Sequence, residues 1–153
     1  MKMIIKSTLI EAHVFRRIHG KIEFLVMKRA ETEIYPNVWQ MVTGSIEKGE
    51  KAYQTAIREI IEETTLAPKS FWIVPKVNSF YSAKDDSINL VPVFLAEVGL
   101  EYKVILSLEH SEYLWCGKEK AKKLFAWPGQ RESVDIISEC LSDEKSMLKL
   151  IKL

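Results

Sequence analysis

The chain reads as an α/β layered domain, and three observations carry that reading. Apolar runs with β-branched and aromatic residues alternate with helical stretches along its whole length. One stretch, Lys51 to Thr64, contains neither Gly nor Pro and is long enough for about four helical turns. Glycine and proline punctuate the segments between, at Gly20, Pro36, Gly44, Pro68 and Pro128-Gly129. With 153 residues, a single domain spanning 1–153 is expected, large enough to bury a proper core.

Residues 3–16 are rich in Ile, Val, Thr and Phe and predict a strand. His19-Gly20 marks a hairpin, and Ile22 to Lys28 predicts the returning strand. Ala30 to Asn37 is a loop broken by Pro36. Val38 to Val42 predicts a short strand that delivers the chain to Gly44. Beyond the helix, Phe71 to Tyr81 and Leu90 to Val98 predict strands around a polar loop, Ser82 to Asn89. Val104 to Leu108 continues the apolar pattern, and Tyr113-Leu114-Trp115 predicts a further strand. Lys118 to Phe125 is a short basic helix, and Pro128-Gly129 separates it from a final helix over Arg131 to Ser142.

Composition limits the function classes. A net charge of +1 offers no electrostatic case for nucleic acid or an acidic membrane as partner. The N-terminal segment has only short apolar runs, as neither a signal peptide nor a membrane span does. Cys116 and Cys140 are too few for a disulfide scaffold, so buried or half-buried thiols in a reducing cytoplasm are expected.

The chemistry concentrates on the long helix. At about 100° per residue, Glu59, Glu62 and Glu63 share one arc of roughly 100°. Tyr53, Ile57, Ile60 and Ile61 lie opposite, as a core face. An acidic row is ordinarily a solvated face. Here, however, Glu59 and Glu63 stand i,i+4 and repel by about a few tenths of a kcal/mol, with Arg58 the one base among them. Crowded carboxylates are what a hard divalent cation takes, together with substrate phosphates. Ala52 and Ala56 flank the row and would leave room beside it. The residues alone carry the reading to a divalent-metal site on a helix.

Gly44, five residues, Glu50, seven residues, then Arg58-Glu59-Ile60-Ile61-Glu62-Glu63-Thr64-Thr65-Leu66 resembles the Nudix box. Glu47 and Gly49 fit its longer form. Thr65 departs from it, since the family has Gly there to take a positive φ, although Pro68 ends the helix in any case. The resemblance implies an α/β/α sandwich with a mixed sheet and an active enzyme that hydrolyses a nucleoside diphosphate linked to another group. It implies Glu59, Glu62 and Glu63 as metal ligands, the backbone carbonyl of Thr43 as a further ligand, and Arg58 as the group orienting the carboxylates, with Glu50 in support. Mg²⁺ is the expected cofactor, with Mn²⁺ as a substitute. Family members recruit one more carboxylate late in the chain as ligand or base. Glu109 and Glu112 are the candidates, and a solvated surface glutamate is the bland alternative for each. His110 is a further candidate base, though a lone loop histidine is usually just solvated.

WQMVTGSIEKGE, LEHSEYLWC and the Trp127-x3-Arg131 pair are similar to the bacterial dihydroneopterin triphosphate or dATP pyrophosphohydrolase branch, in which the extra glutamate lands on Glu109. Substrate-contact candidates are Lys28 and Arg29 (phosphates, or a solvated strand end), Trp39 (a base, or the core), Gln40, Gly44 and Tyr81. Asp85-Asp86 is a weaker candidate for a second metal site than for a solvated turn. The expected substrate is a small-molecule nucleoside or pterin triphosphate, cut to monophosphate and pyrophosphate. A dinucleoside polyphosphate is the alternative, with Tyr81 fifteen residues past Leu66 near that group's tyrosine. An ADP-ribose enzyme ranks lower, and so does a non-catalytic nucleotide sensor, because the charged box positions are intact. A monomer and a homodimer are both open.

Overall fold

The computed structural model describes residues 2–153. Its centre is β2 (Leu9–Ile18), which pairs antiparallel with β3 (Lys21–Arg29) through the His19-Gly20 turn and parallel with β7 (Ser87–Glu97). Both turn residues have positive φ, as a tight hairpin requires. β7 pairs antiparallel with β6 (Ser70–Ser82), and β6 with the short β9 (Ile151–Lys152). β3 carries β4 (Trp39–Gln40) and β8 (His110–Cys116), while β5 (Val42–Ser45) lies against the start of β2. The sheet is therefore mixed.

Alternation along β2 builds the layers. Ile10, Ala12 and Val14 point to one face and meet Ala56 and Ile60 of α1 (Ala52–Thr64). Phe15 points to the other face, against Phe125, which closes α2 (Lys118–Leu124), and Val134 and Ile137 of α3 (Pro128–Cys140). Each face buries its own apolar cluster, so the expected α/β/α sandwich is present. A four-residue α4 (Glu144–Met147) then leads to β9. No helix among the described residues is long and apolar enough to cross a membrane.

Several expected elements differ. The strand over 3–16 is two, since the chain breaks after Lys6 and β1 (Ile4–Lys6) leaves to pair parallel with β7. Val38 to Val42 also divides: Gln40 pairs with β3 and Val42 with β2, so fully buried Met41 is where the chain changes partner. Val104 to Leu108 forms no strand. Its backbone closes the end of α1 instead, with Ile105 N–H donating to Thr64 O at 3.0 Å and Ser107 N–H to Glu63 O at 3.2 Å. Those are carbonyls that a helix end leaves free. The last strand extends beyond Tyr113–Trp115 to His110–Cys116, and the polar loop shortens to a turn between Ser82 and Ser87. Pro128 does not separate α2 from α3; it opens α3, at the position where its missing N–H costs nothing.

Candidate active site

α1 begins where Glu50 ends the Gly-containing loop. Gln54 Oε1 accepts the Lys51 N–H at 2.9 Å, and Thr55 Oγ1 donates to Glu50 Oε2 at 2.7 Å. This holds Glu50 against Arg58, whose Nε and Nη2 donate to its two oxygens at 2.7 and 3.0 Å. Such a two-point pair is strong and directional. Arg58 Nη1 then reaches Glu59 Oε1 at 2.9 Å and Glu62 Oε2 at 3.0 Å, and Nη2 donates to the Ser45 carbonyl at 3.2 Å. One guanidinium thus ties the helix to β5 and sets two carboxylates. Arg58 keeps its proton well beyond the ordinary range, first through Glu50, while Arg58 and then Thr55 push Glu50 down to about 2.

Gly44 is required by close approach: a Cβ built there would run into the Glu59 side chain. Glu59 is half-buried, and burial raises its pKa against the opposing pull of Arg58. Glu63 goes further. It is only 2% exposed, and burial, then the charges of Glu109 and Glu59, raise it to about 9. The acidic row is therefore only partly a solvated face: Glu63 is closed off at the end of α1, where Ser107 N–H donates to its carbonyl, while Glu62 stays exposed. Ile61, expected in the core, is 44% exposed, and Ala56, expected beside the carboxylates, is packed into the core.

His110 is also not solvated. It is buried, with Nε2 3.0 Å from Gln40 Nε2. An amide nitrogen can only donate, so the imidazole proton sits on Nδ1, which faces Glu63 Oε2 at 4.0 Å. Both of those buried atoms lack a hydrogen-bond partner. Burial, then Arg29, pushes His110 down to about 4, so it is neutral near pH 7.

Among the described residues, no three His, Cys, Asp or Glu side chains already converge on one cation position. Glu59 and Glu62 are turned onto Arg58 instead. The donor chemistry nonetheless suits a hard divalent cation: an unpartnered buried carboxylate oxygen on Glu63, with Glu59 and Glu109 close enough to raise its pKa. Glu109 is held at the end of β3 by an Ala30 N–H to Glu109 O bond of 2.9 Å. Glu112 is turned to Lys28, 3.3 Å away.

A cleft of about 710 Å³ opens on the sheet face away from α1, and Thr43, Gly44 and Ser45 form part of its wall. The opposite side of this segment touches Glu59 and Arg58, so cleft and carboxylates meet at β5. Gln40 and Tyr81 also line the cleft, whereas Trp39 packs against the core and bridges to Phe125. Arg29 contacts Glu33 and the Ile34 carbonyl at the edge of the acidic group. Asp85 and Asp86 are committed to Lys6 and to the Tyr81 hydroxyl, as turn residues. Sequence reasoning missed Glu11, Asn78, Ser133 and Gln130 near the cleft floor. The readable signal was Glu11 and His13 at alternate positions of the otherwise apolar run from Leu9 to Phe15.

The NUDIX domain family matches residues 11–135. The asymmetrical bis(5'-nucleosyl)-tetraphosphatase of Caenorhabditis elegans is 33% identical over 113 residues, covering 72% of this chain and 79% of the relative. The dihydroneopterin triphosphate diphosphatase of Escherichia coli K12 is 58% identical over 31 residues, 20% of this chain and 21% of that one. In three dimensions, a C. elegans Ap4A hydrolase binary complex superposes with a TM-score of 0.77 at 25% identity, covering 90% of this chain and 98% of the other. Box, fold and relatives agree: the chain belongs to the Nudix family, as a hydrolase of pyrophosphate bonds.

Proposed function

We propose that the protein is a Mg²⁺-dependent pyrophosphohydrolase that cuts a nucleoside or pterin triphosphate to the monophosphate and pyrophosphate, with Mn²⁺ able to substitute. One observation carries the reading: the cleft and the carboxylates share Thr43–Ser45 as a common wall, so a ring in the cleft would lay its phosphates across β5 onto α1. Nudix hydrolases generally need a divalent metal. Glu59, Glu62 and Glu63 would hold it, with the Thr43 carbonyl and Glu109 as further ligands, and it would neutralise phosphate charge and sharpen the attacking water.

The chain's own residues do the rest. Arg58 orients Glu59 and Glu62 through its Nη1 hydrogen bonds. The water oxygen attacks phosphorus, the bridging P–O bond breaks toward the pyrophosphate, and a Glu109 carboxylate oxygen takes the water's proton. Lys28 and Arg29, at the end of β3, supply positive charge toward the phosphates. Residues 1–153 would act as one unit. The free, buried thiols Cys116 and Cys140 support a reducing, cytoplasmic setting.

Similarity to the C. elegans tetraphosphatase over 113 residues supports a second reading, hydrolysis of a dinucleoside tetraphosphate. A hydrolysis panel separates them. It covers dihydroneopterin triphosphate, NTPs and dNTPs, diadenosine tetraphosphate and ADP-ribose, with Mg²⁺ or EDTA, reading pyrophosphate and nucleotide products separately. Pyrophosphate from a triphosphate, abolished by EDTA, is the expected result. Turnover of diadenosine tetraphosphate alone would transfer the assignment to the second reading, and silence throughout would remove both.

A further inference from the structure

The floor of the cleft is chemically unlike its walls. Glu11 enters it from β2 and is only 3% exposed. Its Oε2 accepts the Ser133 hydroxyl at 2.8 Å and stands 2.8 Å from His13 Nε2, and its Oε1 accepts from Asn78 Nδ2 at 3.0 Å. Among the described residues no Lys or Arg pairs with it. A buried carboxylate without a cation is costly unless neutral donors satisfy it. Three donors hold this one, and Oε1, with a single donor, retains capacity for another. Gln130, in the first turn of α3, also lines the cleft, and its buried Oε1 has no partner. Exposed aromatic rings flank the mouth: Tyr35 packs edge-on against Trp127 at 5.6 Å between centroids, and Phe80 and Tyr81 stand on β6.

We propose that this floor selects the heterocycle, and that the ring it selects carries a 2-amino-4-oxopyrimidine edge, the edge common to guanine and pterins. The inference rests on the triphosphate reading and names its substrate class. Aromatic rings give a flat ring a surface of low polarity and say nothing about which ring. The floor does say which. The Glu11 carboxylate can only accept, and Gln130 offers a second, unpaired acceptor in the lining of the same cleft. The 2-amino-4-oxopyrimidine edge places a ring N–H next to an exocyclic amino group, two adjacent donors. Adenine and cytosine offer an amino group next to a ring-nitrogen lone pair, which a carboxylate repels. Uracil offers one N–H between two carbonyls. A site with buried acceptors rejects an analogue that leaves them unpaired, because their desolvation is then uncompensated. Glu11 acts on the ring, away from the reacting phosphorus, so it is a specificity residue.

The test is two measurements on the whole chain. One is kcat/KM with Mg²⁺ for dihydroneopterin triphosphate, GTP, ATP, CTP and UTP. The other is metal-free equilibrium binding of neopterin, guanosine and adenosine, which carry no phosphate and need no turnover. Wild type should favour the pterin and guanine compounds over adenine by about 30-fold or more in both, and their mutual ratio tells which ring is the substrate. Glu11→Gln should compress that preference to within about 3-fold while leaving EDTA sensitivity intact. Gln130→Leu should compress it partway, and it serves if the first variant does not fold. Equal wild-type binding of guanosine and adenosine, or a preference that survives Glu11→Gln, would overturn the proposal. Hydrolysis absent throughout alongside selective metal-free binding would instead sink the triphosphate reading and leave the ring assignment standing.

Discussion

Glu62 and Glu63 are neighbours on α1, yet one side chain is more than half exposed and the other is closed off from water. Their substitutions should therefore separate two properties. Glu62→Gln and Glu63→Gln should each lower Mg²⁺-dependent turnover by about two orders of magnitude or more, the scale expected when charge stabilisation of phosphoryl transfer is lost. A variant with wild-type rate would remove that residue from the metal-binding set. Among the late carboxylates, Glu109→Gln should lose more activity than Glu112→Gln, because Glu109's charge bears on Glu59 and Glu63 while Glu112 faces Lys28. The reverse order would reassign the role to Glu112. The acidic row of Glu59, Glu62 and Glu63 was legible from the box spacing, whereas Glu109 and Glu112 lie outside the box. The burial of Glu63 and of His110 was not legible, since it depends on Ser107 and Gln40, distant in the chain.

At the scale of the element, α1 ends on an unusual cap. Thr65 occupies the left-handed region at φ 62°, where a β-branched residue is strained, and its N–H donates to Ile61 O at 2.8 Å. Glycine reaches this conformation without the Cβ conflict. Thr65→Gly should raise stability by about 0.5–1 kcal/mol, the usual size of a relieved left-handed site less the added unfolded-state entropy. Chemical denaturation at constant m-value measures it, and an unchanged or lowered midpoint would mean that the Thr65 hydroxyl, bonded to the Thr64 carbonyl, repays the strain. The helix itself was readable because period and propensity agree over its whole length. Residues 104–108 were misread because an apolar run serves equally as a strand or as a cover over a helix end, and only the free carbonyls of α1 decide between them.

Across the whole molecule, two buried groups set a pH dependence. Glu63, raised to about 9, keeps its proton when folded and loses it when unfolded, so stability falls as pH rises from about 4.5 towards 9. His110, lowered to about 4, has the opposite sign: stability rises with pH between about 4 and 6.5. The two oppose each other below pH 6.5, and above it Glu63 continues without that opposition. Metal-free protein should therefore lose about 3 kcal/mol between pH 6.5 and 9, given about 1.4 kcal/mol per pH unit for one proton and a slope that flattens near pH 9. Glu63→Gln should abolish the slope, and saturating Mg²⁺ should raise Tm more at pH 8.5 than at pH 6.5, because a bound cation replaces the proton. A flat metal-free profile would contradict the burial of Glu63. Features that repeat locally could be read along the chain: the α/β alternation, the long helix, the box and the carboxylates that its spacing places on one arc. Three-dimensional packing settled which of those carboxylates leaves water, that β1 and β2 are separate strands, and that Glu11 and Gln130 line one cleft. Those outcomes depend on contacts between residues far apart in the chain, such as Glu11 with Ser133, and no local period encodes a contact of that range.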